Sequence, residues 1–144
     1  MTGRFQIGPT LFREATQQDE GALTLIAEQT IATYVVENLD RHYCPILLTE
    51  QLPVGFAICR DNTIDLIVVD YRYHRSGFGT QLLVHCETEM FGAYPAIALH
   101  CFEHNEQANR FFRKNGWIET LRYRNKHSGV RTILYQKQRS DTKK

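Results

Sequence analysis

The chain has 144 residues, of which 42% are apolar and 23% are charged, and this is the composition of an ordinary globular protein. At this length folding removes roughly 70% of the unfolded chain's surface from water, so stability requires neither disulfides nor a structural metal. The formal net charge of +1 excludes a global field that would draw the protein onto nucleic acid or anionic lipid. We predict one domain over residues 1–144, with residues 139–144 as a frayed tail.

Targeting signals and cysteine use indicate the compartment. Residues 1–5 contain no apolar run of the signal-peptide kind, and the apolar stretches at 54–59 and 66–69 are too short to span a bilayer. The four cysteines contain no Cys-x-x-Cys pair, so we expect free thiols in a core. The sequence therefore predicts a cytoplasmic protein that does not bind membranes.

Apolar periodicity predicts the elements in chain order. A strand at 11–15 leads through Thr16, a candidate cap, into a helix that reaches about residue 36, because apolar residues recur there at intervals of three and four. Three antiparallel strands follow, and then a helix, a strand, a helix and a final pair of strands, at 45–49, 52–60, 63–69, 77–91, 96–102, 106–114, 117–124 and 130–137. The order β-α-β-β-β-α-β-α-β-β predicts an α/β fold with a mixed sheet and helices on its faces.

A glycine-containing turn, His74-Arg75-Ser76-Gly77-Phe78-Gly79-Thr80, joins the third strand of the antiparallel set to the next helix. A helix N-terminus offers unpaired N–H groups, and glycine lets these groups approach an anion closely, so the turn is a candidate phosphate site. Neither nucleotide-binding motif is complete, because Leu82 replaces the third glycine of a dinucleotide fingerprint and no Gly-Lys-Ser/Thr is present. A tight turn with close packing is the alternative interpretation.

Two segments together resemble the GNAT superfamily of acetyl-CoA-dependent N-acetyltransferases. The stretch 68–80 resembles the family's strand, Gln/Arg-x-x-Gly-x-Gly/Ala and helix, and 105–117 resembles Asn-x-x-Ala-x-x-Phe-Tyr-x-x-x-Gly-Phe. The resemblance covers nearly the whole chain and implies acetyl transfer to a primary amine, with acetyl-CoA as co-substrate. Two positions depart from the pattern. His74 stands where the family has Gln or Arg, and Phe112 stands where many relatives have a Tyr that is proposed to protonate coenzyme A.

The resemblance also implies how acetyl-CoA is held. Its pantetheine arm lies between two splayed strands, here 63–69 and 96–102, and pairs with the backbone at Ile67, Val68 and Val69. The diphosphate lies on the turn at His74, Arg75, Ser76, Gly77, Phe78, Gly79 and Thr80, where Arg75 can supply the charge that His74 lacks. Asn105 contacts the pantetheine arm, although a plain helix cap is a compatible role, and Phe112 completes the set.

Candidate catalytic residues follow from the chemistry of amine acetylation. The acceptor arrives as an ammonium and must lose a proton, and an imidazole suits proton removal near neutrality. His100 is the first candidate base, with a buried structural histidine as the alternative. Glu103, His104 and Asp65 are further candidates, and Tyr123 is a candidate acid in place of Phe112.

Other readings remain open in the sequence. His100, Cys101 and His104 lack a second ligand cluster, which argues against a metal site. The basic and aromatic stretch 110–131 could serve a nucleic-acid-binding module, and a non-catalytic acyl-CoA sensor would also fit Phe112. The acceptor, either a small molecule or a peptide amine, is not specified, although Glu28, Glu37 and Asp40 are candidate contacts. The chain could be a monomer or a homodimer.

Overall fold

The computed structural model describes residues 10–19, 21–23, 42–74 and 76–140. This part of the chain contains seven strands and two complete α-helices. The strands are β1 (Thr10–Glu14), β2 (Pro45–Thr49), β3 (Leu52–Arg60), β4 (Thr63–Val69), β5 (Ala96–Phe102), β6 (Ile118–Arg124) and β7 (Arg131–Gln138). The helices are α1 (Phe78–Phe91) and α2 (Glu106–Lys114).

Strand pairing confirms the predicted α/β fold with a mixed sheet. Hydrogen-bonded neighbours follow the order β1-β2-β3-β4-β5-β7-β6, and β4 and β5 run parallel. Each predicted strand lies within one residue of its observed limits. Of the helix predicted after Thr16, residues 21–23 are helical, and its continuation to residue 36 lies outside the described residues.

The chain divides into two compact units, of which the first comprises residues 1–58 and 66–83. Its described core contains Ala15, Leu23, Cys44, Ile46, Leu48, Phe56 and Ile58, with Leu66 and Val68 packed against them. The β2–β3 hairpin turns at Glu50 and Gln51, whose φ values are 51° and 69°. Two consecutive positive φ values are typical of the type I′ turn, whose twist matches that of paired strands. A two-residue connection therefore suffices here.

The second unit comprises residues 59–65 and 84–144. Its strands β5, β7 and β6 are antiparallel neighbours, with Leu99 opposite Tyr135 and Arg122 opposite Ile133. The parallel pairing of β4 with β5 involves Thr63 with Ala98 and Ile64 with Leu99. Residues 97, 99 and 101 are buried and residues 100 and 102 are exposed, so β5 has one covered and one open face.

Two short 3-10 turns, at Gln17–Asp19 and Tyr71–Tyr73, were not predicted from the sequence. Each depends on one aspartate bound by a nearby arginine, Asp19 by Arg13 and Asp70 by Arg72. Apolar periodicity cannot reveal such polar contacts. All four cysteines are buried thiols outside any disulfide, as the sequence predicted. Within the described ranges no helix is long and apolar enough to span a membrane.

A buried polar cluster joins α1, β7 and the connection between α2 and β6 in the second unit. The Glu87 carboxylate accepts a hydrogen bond from Trp117 Nε1 at 2.9 Å and an ion-pair hydrogen bond from Lys137 Nζ at 2.9 Å. Lys137 Nζ also donates to the carbonyl of Asn115 at 2.9 Å. Glu87 is buried, so each of its carboxylate oxygens is paired rather than hydrated.

Replacing Glu87 by alanine is expected to lower the free energy of unfolding by about 3 kcal/mol, because the Lys137 ammonium and the indole N–H lose their partner. Urea denaturation measures this loss. Glu89→Ala, at an exposed position of the same helix, is the matched control and should cost under about 0.5 kcal/mol. Equal stabilities of the two variants would show that the cluster contributes nothing.

Candidate active site

The turn after β4 is built on Asp70, a buried aspartate at the end of the strand. Its side chain accepts from the Arg72 backbone N–H at 2.9 Å and from the guanidinium at 3.2 and 2.8 Å. The Asp70 amide in turn donates to the Val54 carbonyl of β3 at 2.7 Å. These bonds fix the direction in which the chain leaves the sheet.

The Arg72 guanidinium, by hydrogen bonding to Asp70, lowers the pKa of that carboxyl from its ordinary value. Between the folded-state pKa and the ordinary value the unfolded chain therefore binds more protons than the folded chain, and stability rises with pH there. We expect this contribution to be complete above about pH 5 and to be lost as the pH falls through the folded-state pKa. Asp70→Asn should remove this part of the acid dependence, as followed by urea denaturation between pH 3 and 7. An unchanged acid profile in the variant would contradict the assignment.

The first turn of α1 presents backbone amides. The first intrahelical hydrogen bond runs from the Gln81 amide to the Gly77 carbonyl at 3.1 Å, so the amides of Phe78, Gly79 and Thr80 have no acceptor within the helix. Gly77 has a φ of +84°, which glycine adopts without strain and other residues do not. Among the described residues, apart from its two chain neighbours, none lies within 4 Å of the position that a Gly77 Cβ would take. These amides and the positive end of the helix dipole are suited to an anion.

Packing holds the start of α1 in place. Phe78 is buried and its ring lies 5.8 Å from the ring of Tyr73. Ser76 Oγ donates to the Tyr73 carbonyl, which closes the turn. Arg75, which the resemblance places among the diphosphate contacts, lies outside the described residues.

His74 bonds back to the strand rather than extending from the turn. Its Nε2 lies 3.0 Å from the carbonyl oxygen of Val69. Since a carbonyl only accepts, Nε2 carries the hydrogen of this bond, and Nδ1 is the ring nitrogen left for another partner. The His74 ring also meets Tyr71 edge to face, with centroids 5.7 Å apart.

The end of β4, which contains Ile67, Val68 and Val69, is approached closely by Gly55 of β3. A Cβ on Gly55 would lie 2.9 Å from the Val68 carbonyl oxygen and 3.4 Å from a methyl group of Val69. Only glycine therefore fits, and Gly55 helps to set the backbone of a predicted cofactor strand. This role of Gly55 was not predicted from the sequence, although a glycine inside the apolar run 54–59 is itself a signal of close backbone approach.

His100 and Tyr123 form a hydrogen-bonded pair on the open face of β5 and β6. The Tyr123 hydroxyl lies 3.0 Å from His100 Nδ1, and the two rings meet at 90° with centroids 5.9 Å apart. His100 is exposed and Tyr123 is half-buried. The alternative of a buried structural histidine is therefore wrong for His100.

The other candidate bases have different surroundings. The Glu103 carboxylate accepts from Arg131 at 2.7 Å and from Arg122 at 3.2 Å, and the hydrogen bond from Arg131 lowers the pKa of Glu103 from its ordinary value. Asp65 forms an ion pair with Arg60 at 3.1 Å. His104 is exposed, and its ring stacks on Phe102 with centroids 5.7 Å apart.

Asn105 and Phe112, both in the segment that resembles the second family motif, have different surroundings. The Asn105 side chain accepts from the Ala108 amide at 3.1 Å, so Asn105 caps α2 as the alternative reading proposed. Phe112 is buried, with its ring centroid 6.2 Å from Trp117 and 6.1 Å from Tyr135. Its ring is part of the aromatic core of the second unit.

The described residues contain no group of three or more His, Cys, Asp or Glu side chains that could hold a metal ion. The predicted acceptor contacts Glu28, Glu37 and Asp40 lie outside the described residues.

Comparison with known proteins agrees with this architecture. The family model of the acetyltransferase (GNAT) family matches residues 10–117, which is more than half of the chain. Comparison with curated proteins found no similar sequence.

Solved structures share the fold. A GNAT-family acetyltransferase from Bacillus cereus aligns with a TM-score of 0.75 at 20% identity, over 92% of this chain and 99% of the other. The ribosomal-protein-S18-alanine N-acetyltransferase of Escherichia coli aligns with a TM-score of 0.73 at 20% identity, over 89% and 92%. The acetyltransferase yncA from Salmonella typhimurium, solved with its cofactor acetyl-CoA, aligns with a TM-score of 0.72 at 14% identity, over 92% and 95%.

The chain, with its mixed seven-stranded sheet, shares its fold with these solved structures. Since the family model matches most of the sequence, this chain belongs to the GNAT acetyltransferase family.

Proposed function

We propose that this protein transfers the acetyl group of acetyl-CoA to a primary amine by direct attack of the amine. The observation that carries the proposal is the turn before α1, where Gly77 has a positive φ and the amides of Phe78, Gly79 and Thr80 precede the first intrahelical bond. Such a group of donors fits a diphosphate. Four cysteines in the thiol form fit the reducing cytoplasm in which we place the protein.

The proposed cofactor contacts follow the order of the chain. The backbone of Ile67, Val68 and Val69 would pair with the amides of the pantetheine arm, and the turn from His74 to Thr80 would hold the diphosphate. Two of the predicted contacts have other partners. Asn105 caps α2, a role compatible with a pantetheine contact, whereas Phe112 contributes a buried ring and no proton.

Bound acetyl-CoA would supply a thioester carbonyl carbon that a neutral amine can attack, with a carbon–nitrogen bond formed and the carbon–sulfur bond broken. His100 is the proposed base. With hydrogen on Nδ1, the ring donates to the Tyr123 oxygen, and Nε2 is then free to take the proton from the amine nitrogen.

Tyr123 is the proposed acid. In this tautomer its oxygen accepts from His100, so its own hydroxyl proton is available for a leaving thiolate. Phe112 has no such proton, and a thiol with a pKa of about 8.5 is a good leaving group that asks little of an acid. Glu103, Asp65 and His104 stay as weaker proposals, because the first two are ion-paired and the third is stacked on Phe102.

Two measurements test the proposal. Titration calorimetry with acetyl-CoA should give saturable binding, which Thr80→Pro at the first turn of α1 should weaken at least about tenfold by removing one amide. Thiol release with a panel of amines should then show turnover. Binding without thiol release for any amine would instead favour the acyl-CoA sensor, and the absence of binding would overturn the proposal.

A further inference from the structure

The open face of the β5-β7-β6 sheet carries an exposed group of rings. In antiparallel strands, residues directly opposite each other point to the same face. His100 and Leu121 both lie opposite Leu134, and Phe102 and Tyr123 both lie opposite Thr132. We call the surface formed by His100, Phe102, Leu121 and Tyr123 the aromatic face.

Two apolar side chains of the aromatic face are more than half exposed. Phe102 and Leu121 are each 53% exposed, although their neighbours Cys101 and Ile133 on the opposite face are buried. The Phe102 ring stacks on His104, and the Tyr123 hydroxyl is hydrogen-bonded to His100. These contacts order the rings. Ordered, exposed rings beside hydrogen-bonding groups are typical of a binding surface.

The charge pattern specifies what this surface binds. Glu119 is the only acidic residue in β5, β6 and β7, and it lies opposite Tyr135 on the other face. The nearby Glu103 is turned to Arg131 and Arg122. Among the residues that the structure describes, an acceptor with several ammonium groups therefore finds no carboxylate on the aromatic face, whereas the faces of aromatic rings attract a single ammonium and stack on an aromatic body.

We infer that the acceptor of the proposed acetyl transfer is a monoamine attached to an aromatic ring, which packs on Phe102 and Leu121 beside the proposed base. This inference rests on the proposed function, since it names the substrate class of that reaction. Phe102 serves as a specificity-determining residue here and takes no part in proton transfer.

The test compares two acceptors that share an amine and differ in the ring, 2-phenylethylamine and ethylamine, with putrescine as a diamine. We expect thiol release with a kcat/KM at least about tenfold higher for 2-phenylethylamine than for the other two. Phe102→Ala should raise KM for 2-phenylethylamine about five- to tenfold and should change that for ethylamine less than twofold. Ile118→Ala is the matched control, since Ile118 is an exposed apolar residue elsewhere on β6.

Equal kcat/KM values for the ring-bearing and ringless amines, or a preference for putrescine, would overturn the inference while acetyl transfer itself stands. Failure of the proposed function has a different signature, because no amine would then release thiol. In that case calorimetry of 2-phenylethylamine with the wild-type protein and with Phe102→Ala still tests whether the aromatic face binds a ring-bearing amine. Binding that Phe102→Ala weakens would support the aromatic site, and no binding would overturn it.

Discussion

Alanine in place of His100 is expected to lower turnover by about 10²–10³-fold, which is the usual contribution of a positioned general base. The dissociation constant for acetyl-CoA should change less than about threefold, because the turn that is proposed to hold the diphosphate is untouched. Thiol release at saturating amine measures turnover, and titration calorimetry measures the dissociation constant for acetyl-CoA.

Two further variants separate catalysis from structure. Tyr123→Phe should lower turnover about tenfold, because the ring keeps its packing while the hydroxyl that orients His100 Nδ1 is removed. His85→Ala, a histidine on α1, is the control and should retain the wild-type rate. A His100→Ala enzyme with unchanged turnover at saturating amine would exclude His100 from the mechanism.

Gly55→Ala is expected to weaken acetyl-CoA binding at least tenfold, as measured by calorimetry. The new Cβ would lie 2.9 Å from the Val68 carbonyl oxygen, a backbone atom that moves only if β4 moves with it. Displacing this strand misplaces the backbone groups proposed for the pantetheine arm. The added methyl also meets Leu82 at 3.4 Å, so we expect a loss of about 1–3 kcal/mol in the free energy of unfolding.

Gly21→Ala is the matched control, because no atom of the described residues beyond its chain neighbours lies within 4 Å of the Cβ that alanine would add there. This variant should bind acetyl-CoA like the wild type and should be at least as stable, since alanine favours a helix over glycine. A folded Gly55→Ala protein with unaltered affinity would show that the end of β4 does not hold the co-substrate.

Much of the fold could be predicted because local signals and tertiary structure agree. The apolar run of β5 and the position of Gly77 predicted elements that the structure confirms within a residue or two. The 3-10 turn at Tyr71–Tyr73 was missed because it depends on the contact of Asp70 with Arg72, and such polar contacts leave no periodic pattern.

The candidate site was less predictable than the fold. The sequence made His100 the first candidate base and Glu103 a further one, and only the structure shows Glu103 bound by two arginines and His100 bound by Tyr123. Phe112 was predicted to contact the co-substrate, whereas its ring is buried against Trp117 and Tyr135. Strand alternation shows which residues share a face of the sheet, but it does not show which face is covered.

The sequence by itself determined the family and predicted the turn that is proposed to hold the diphosphate, because both depend on residue types at short, fixed spacings. Only the tertiary structure decided that His100 and Tyr123 meet, that Gly55 approaches the Val68 carbonyl, and that the ring of Phe102 is exposed. These contacts join residues between 13 and 23 positions apart or depend on which sheet face is covered, and packing alone settles them.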